Sequence, residues 1–282
     1  MNFEHLSQPP FESREKKRFF PVSTIELIGK RSRQEDVSGT LEFDKDGNRM
    51  MAAAVADGHG SIGKHAAKTA VAEILKDLQM HGAKSHTLGD AFSRIHEEII
   101  KMKVFGGTTL SAALVEKGMI TLAWVGNSQA RIFSADDSTL HTLTLPHEYG
   151  AHPEETDRLV KQHVMVVDPR HPYTRPKKHG HIAIPGGGRI EVSRSLGDPD
   201  FEPLVLHEPE IKTVVPAPED RYLIMASDGL WQCIDRHSRR KKVEQVLSEA
   251  KDTEEAKTKI EALLAKWKPD DNTTVVIVGL KG

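Results

Sequence analysis

Cysteine is almost missing from this chain. Cys233 is the single one in 282 residues, which excludes an intramolecular disulfide and any cysteine-cluster zinc or iron–sulfur site and fits a reducing compartment. No stretch approaches the roughly 18 apolar residues of a membrane span. Residues 1–20 hold no apolar run of signal-peptide length; Glu4, Glu12, Glu15 and four basic residues from Arg14 to Arg18 make them a polar arm. Excess charge of one sign is missing too. Against 39 Lys and Arg stand 41 Asp and Glu, a formal net charge of −2, which argues against a general nucleic-acid binder. Internal repeats and low-complexity tracts are absent. What is present, 38% hydrophobic and 28% charged residues, is ordinary for a soluble globular protein. A chain this long can bury about 75% of its unfolded surface. The expectation is a cytoplasmic monomer with no nucleic-acid and no membrane partner. It consists of the arm 1–20 and one domain over 21–282, since no linker divides the latter.

Periodicity places the elements. Ser23–Ile28 and Met50–Ala56 read as strands, followed by helices from about Lys64 to Gln79 and from Leu88 to Lys103. Thr109–Val115, a turn at Lys117-Gly118 and Ile120–Phe133 read as a hairpin and its extension. Leu140–Leu145 is a further strand. Residues 147–188, rich in His, Pro and charge, show little periodicity and read as a functional flap. Tyr222–Ala226 is a strand, Lys241–Lys251 and Glu254–Trp267 are helices, and Thr273–Leu280 closes the chain as a strand. Helices and strands come in blocks, which predicts an α+β protein with antiparallel sheets.

Three apolar strands meet acidic residues at one end: Asp57 after Ala56, Asp228 shortly after Ala226, and Asp271 before Thr273. The pair Glu35-Asp36 follows the first strand. Asp and Gly beside strands are ordinary turn chemistry, and each position alone reads that way. Antiparallel sheets can gather such ends, however, and clustered carboxylates repel unless a cation neutralises them. Oxygen-only ligands favour Mg²⁺ or Mn²⁺ over zinc. The residues alone therefore suggest a divalent-cation site of one or two ions. Rival motifs fail on context. Gly58-His59-Gly60-Ser61-Ile62-Gly63 has dinucleotide spacing but no parallel strand after its helix. Gly126-Asn127-Ser128-Gln129-Ala130 looks like a nucleophile elbow but runs into more strand. Gly186–Gly188 lacks the Lys-Ser/Thr of a P-loop.

Eight stretches in order, from about Ile28 to Val278, resemble the metal-dependent protein phosphatase family, type 2C. They are Arg31-Ser32-Arg33-Gln34-Glu35-Asp36, Val55-Ala56-Asp57-Gly58-His59-Gly60, Gly106-Gly107-Thr108-Thr109 and Val125-Gly126-Asn127-Ser128-Gln129-Ala130. Then come Leu143-Thr144-Leu145-Pro146-His147, Val192-Ser193-Arg194-Ser195-Leu196-Gly197-Asp198, Ala226-Ser227-Asp228-Gly229-Leu230-Trp231 and Asp271-Asn272-Thr273-Thr274-Val275. Each is weak alone; the ordered series is specific. The resemblance implies a four-layer α-β-β-α sandwich of two antiparallel sheets flanked by helices. It implies a serine/threonine phosphatase that hydrolyses phosphoprotein substrates with a metal-activated water at two Mg²⁺ or Mn²⁺ ions. Asp57 would bridge both ions, Asp228 and Asp271 would hold one, and the Gly58 carbonyl and Glu35 the other, with Asp36 supporting the water network. Arg31 would grip the phosphate through its planar fork, and His59 would protonate the leaving oxygen. Ser193 and Arg194 read as packing residues.

Two positions depart from the family pattern. Asn127 and Gln232 stand where it carries Asp, at a third, weaker metal site that also uses Asp228. A neutral amide brings no charge to a cation, so the third site is expected to be weakened. The alternative is a catalytically impaired, phosphatase-like binding or scaffold protein. Two basic segments stand out, 170–181 and 236–242. The first reads as a solvated loop in preference to a recruiter of acidic phosphopeptides. Within the second, Arg239-Arg240-Lys241-Lys242 opposes a helix dipole, so the helix starts later or the cluster serves a partner or nuclear import.

Overall fold

The computed structural model describes residues 20–116, 118–168, 180–186, 188–235 and 239–281. Nearly all of the arm expected at 1–20, most of the basic segment 170–181 (all but 180 and 181) and positions 236–238 lie outside the described residues.

In chain order the first elements are β1 (Val22–Leu27), β2 (Val37–Lys45), β3 (Asn48–Ala56), β4 (Gly58–Gly60), α1 (Gly63–His81) and α2 (Ser85–Ile100). Next come β5 (Gly106–Thr108), β6 (Leu110–Glu116), β7 (Met119–Val125), β8 (Gln129–Ser134), β9 (Thr139–Thr142) and α3 (Pro153–Lys161). The flap continues with β10 (Val166–Val167), β11 (His181–Ala183) and β12 (Arg189–Ile190), followed by β13 (Leu196–Gly197) and β14 (Glu210–Val214). The chain ends with β15 (Asp220–Ala226), α4 (Asp228–Asp235), α5 (Arg240–Glu249), α6 (Thr253–Trp267) and β16 (Thr273–Gly279).

One five-stranded sheet has the order β1-β16-β15-β8-β9 and the other β14-β7-β6-β3-β2. Their ladders are antiparallel, with Leu223 opposite Val278 in the first and Ala53 opposite Ala113 in the second. Alternate side chains of a strand point to opposite faces, and both faces here are apolar. Met51, Val55 and Leu122 of one sheet meet Ile132, Leu223 and Met225 of the other. Outward, Ala52, Ala54 and Leu114 pack on α1 and α2 through Val71, Ile74 and Phe92. Phe133, Ile224 and Val275 pack on α4, α5 and α6 through Trp231, Leu247 and Ile260. The layers run helix, sheet, sheet, helix, as the resemblance implied. Among the described residues no helix is long and apolar enough to cross a membrane.

The expected continuous strand Ile120–Phe133 divides. β7 belongs to one sheet and β8 to the other, and the chain crosses between them at Gly126-Asn127-Ser128. Gly126 makes the crossing possible: its φ is +87°, and a Cβ there would lie 2.7 Å from Thr109 Cβ. Strands β2 and β14, unforeseen from the pattern, are the two edges of their sheet, where side chains are half covered and the apolar signal fades. The flap is more ordered than its periodicity suggests. It carries α3, a small three-stranded sheet and a core around Leu159, Ile182 and Phe201. Helix α5 starts at Arg240, inside the basic cluster rather than after it. Arg240 is held by Glu244 (2.8 Å), and Arg239 lies over the Trp267 ring, which offsets the unfavourable dipole position. Cys233 is buried.

Candidate active site

Strand ends deliver the acidic residues to one place. Just past β3, the Asp57 N–H donates to Thr109 Oγ1 (3.0 Å) and its carbonyl accepts from Thr109 N–H (2.9 Å) and Thr108 Oγ1 (3.0 Å). Asp228 opens α4 just after β15, and Asp271 precedes β16; because β15 and β16 are antiparallel neighbours, the end of one lies beside the start of the other. The loop after β1 is tied to the same point by Asn272. Its Oδ1 accepts from Glu35 N–H (2.8 Å), and its Nδ2 donates to the carbonyls of Ile28 and Arg33 (2.9 Å each). A cavity of about 310 Å³ has Arg31, Glu35, Asp57, Gly58, His59, Asp228 and Asp271 on its wall. Asp36 is not on that wall. It is buried against Asp57 and accepts from Ser227 Oγ at 2.7 Å.

The carboxylates strain against one another. Burial pushes the Asp57 carboxyl well above the ordinary range, and the charges of Asp36, Asp228 and Asp271 push the same way. Burial, then Asp271, Glu191 and Glu148, raise Asp228. Burial lifts Asp36 to about 6 despite the hydrogen bond from Ser227. Arg31 pairs with Asp271 at 2.5 Å, and although burial opposes it, that carboxylate holds the guanidinium above its usual range. Asp228 Oδ1 and Asp36 Oδ1 are buried without a hydrogen-bond partner. A buried group left in this way asks for a further partner, and repelling carboxylates ask for positive charge. The donors are oxygens, so the residues fit a hard divalent cation of the Mg²⁺ or Mn²⁺ type.

Two His–Glu groups elsewhere among the described residues come close enough to suggest a metal: His147, His152 and Glu210, and His96, Glu202 and His207. Their tautomers argue otherwise. His147 Nδ1 accepts from Gly126 N–H (3.1 Å) and His96 Nδ1 accepts from Gly197 N–H (3.2 Å). That leaves the proton of each neutral ring on Nε2, 3.3 Å from Glu210 and 2.8 Å from Glu202. A protonated nitrogen donates a hydrogen bond and cannot ligate a metal.

Residues 28–272 match the family model for Protein phosphatase 2C. The chain belongs to the protein phosphatase 2C family. The protein kinase and PP2C-like domain-containing protein of Oryza sativa subsp. japonica is 27% identical over 271 residues, covering 90% of this chain and 38% of that protein. This chain thus spans well under half the length of that relative. The probable protein phosphatase 2C 59 of the same plant is 26% identical over 260 residues, 89% of this chain and 72% of that protein. The crystal structure of serine-threonine phosphatase 2C from Toxoplasma gondii superposes with a TM-score of 0.70 at 17% identity, over 92% of this chain and 94% of that one. That likeness is one of fold.

Within this protein phosphatase 2C framework, Asn127 and Gln232 turn their amides to Asp228. Asn127 Nδ2 donates to Asp228 Oδ2 (3.1 Å) and to Glu148 Oε1 (2.8 Å), and Gln232 Nε2 donates to Asp228 Oδ2 (2.6 Å). Ser193 and Arg194 brace the flap through Glu155, at 2.6 Å from Ser193 Oγ and 2.7 Å from Arg194 Nη2. Three neighbours escaped the sequence reading as functional residues. Asp198 accepts from His59 Nε2 at 2.7 Å, and Glu148 and Glu191 add charge beside Asp228. Asp198 sits in a quoted motif, so its position was visible but not its partner. The two glutamates carry no local signal.

Proposed function

We propose that this protein is a serine/threonine phosphatase that hydrolyses phosphoprotein substrates at a pair of Mg²⁺ or Mn²⁺ ions, with residues 21–282 as one catalytic unit. The observation that supports this most is the cavity shared by Arg31, Asp57, His59, Asp228 and Asp271, which come from widely separated parts of the chain. Bound there, two divalent cations supply an activated water and neutralise phosphoryl charge. Asp57 would bridge them, Asp228 and Asp271 would hold one, and Glu35 and the Gly58 carbonyl the other. Asp36, buried beside Asp57, would support the water network. The Arg31 guanidinium, 57% exposed, offers the phosphate two parallel N–H bonds. The water oxygen forms the new bond to phosphorus, the ester P–O bond breaks, and His59 gives the leaving Ser or Thr oxygen its proton.

The amides of Asn127 and Gln232 favour a second reading, an impaired relative that binds phosphoproteins without turnover. Both amides donate to Asp228 Oδ2 and so occupy an oxygen that a third cation would use. Release of phosphate from a phosphothreonine peptide with Mn²⁺, with and without chelator and against Asp57→Asn, separates the two. Metal-dependent release above the variant supports the enzyme. No release, together with retained peptide binding, supports the scaffold.

A further inference from the structure

His59 is the one proposed catalytic side chain whose setting owes nothing to the carboxylates around Asp57, and a dedicated piece of structure holds it. Strands β13, β5 and β4 form a three-stranded sheet with β5 in the middle. In its register His59 and Gly197 both stand opposite Gly107, one on each side. The residue after Gly197 is Asp198, which is 1% exposed and sits in the left-handed region with φ +54°. Its N–H donates to the Gly106 carbonyl at 3.1 Å. Its carboxylate reaches across the sheet to His59 Nε2, 2.7 Å from Oδ2, and the same oxygen accepts from Ser195 Oγ at 2.5 Å. Gly107 leaves the passage open: a Cβ on it would lie 2.3 Å from Asp198 Oδ2.

We infer that Asp198 is a positioning residue for His59, a buried carboxylate that fixes the ring through Nε2 so that Nδ1 is the nitrogen that serves the leaving oxygen. The inference rests on the phosphatase reading for its consequence and on geometry for its substance. A carboxylate can only accept from a ring N–H, so the contact sets Nε2 as the donor. Among the described residues no Lys or Arg pairs with Asp198, and its Oδ1 has no hydrogen-bond partner. With Nε2 committed to Asp198, Nδ1 is the ring nitrogen left to serve the leaving oxygen. The same division of labour, one carboxylate orienting a histidine that does the proton transfer, operates in acyl-transfer triads.

The test compares two substrates on the Mn²⁺-loaded full chain. A phosphothreonine peptide has an alkoxide leaving group that needs protonation; para-nitrophenyl phosphate has one that does not. Asp198→Asn is expected to lower kcat on the peptide by about 10- to 100-fold, within the range of lost general-acid help, and kcat on the aryl ester by less than about 3-fold. In a His59→Ala background the same substitution is expected to add nothing, because the two residues act as one unit. Equal losses on both substrates, or no loss on the peptide, would overturn the inference. ¹⁵N NMR of the histidines in metal-free protein provides an arm independent of turnover. Wild type is expected to show His59 protonated on Nε2, and Asp198→Asn to show a tautomer mixture. An unchanged spectrum overturns the inference even if the variant is poorly active. Wild-type protein that hydrolyses neither substrate would instead sink the phosphatase reading, and the NMR arm would still decide the pairing.

Discussion

Two buried acidic centres in this protein behave in opposite ways. At Glu155, 1% exposed, every lone pair has a donor. Oε1 accepts from Arg194 at 3.0 and 2.7 Å, and Oε2 accepts from Ser193 Oγ at 2.6 Å and Arg158 at 2.9 Å. Burial works to raise its carboxyl, but the Arg194, Ser193 and Arg158 hydrogen bonds overrule it and hold it down at about 2. At Asp57, Asp228 and Asp36 burial and like charge push the carboxyls up, and one buried oxygen each of Asp228 and Asp36 stays unsatisfied. The first centre is completed by the chain itself and braces the flap. The second is not completed by the chain itself, and its unsatisfied oxygens fit the divalent-cation site proposed above.

The largest consequence concerns turnover. Chelation, or Asp57→Asn, is expected to lower phosphopeptide hydrolysis by about 10³-fold or more, since Lewis-acid stabilisation is worth several kcal/mol; steady-state assays with added Mn²⁺ check it. Next in size is a contrast in stability. Glu155→Ala leaves two arginines short of a buried partner and is expected to cost about 3–5 kcal/mol, whereas Asp228→Asn in chelated protein relieves repulsion and is expected to add about 1 kcal/mol. Urea melts of both variants read this directly, and equal losses would erase the distinction drawn above. Smaller again, a divalent cation at about 100 times its Kd is expected to raise wild-type stability by roughly 2.7 kcal/mol. Asp228→Asn should lose most of that gain, measurable as a shift in Tm. Last, acid acts on the flap. Glu155 titrates at about 2 in the fold against 4.5 ordinarily, so its contribution is complete above about pH 4.5 and declines as pH falls toward 2. Protection of the α3 amides against hydrogen exchange, relative to the intrinsic rate at each pH, should fall over that window and not above it.

Much of the architecture was legible because its signal is local. The periodicity of α1 and α6 and the apolar runs of β3, β15 and β16 survive in any register, and both faces of these strands are covered. The edges β2 and β14 were not legible, since half-covered strands carry a diluted pattern. Nor was the break at Gly126, where a run that looks continuous changes sheet: only a close approach to Thr109 reveals why glycine stands there. At the site, Arg31, Asp57, His59, Asp228 and Asp271 were marked by their motifs. The roles of Asp198 and Asn272 were not, because a hydrogen bond across 139 or 237 residues of chain leaves no trace in spacing.

Composition and motif order by themselves determined the family, the oxygen-rich chemistry and the helix and strand content, all of which depend on residue type and short-range pattern. Only the tertiary structure decided which oxygens remain unsatisfied, that Asn127 and Gln232 present donors to Asp228, and that His59 leans on Asp198. Those are matters of distance and burial, and the energy of a charge or a hydrogen bond is set by what surrounds it once water has been removed.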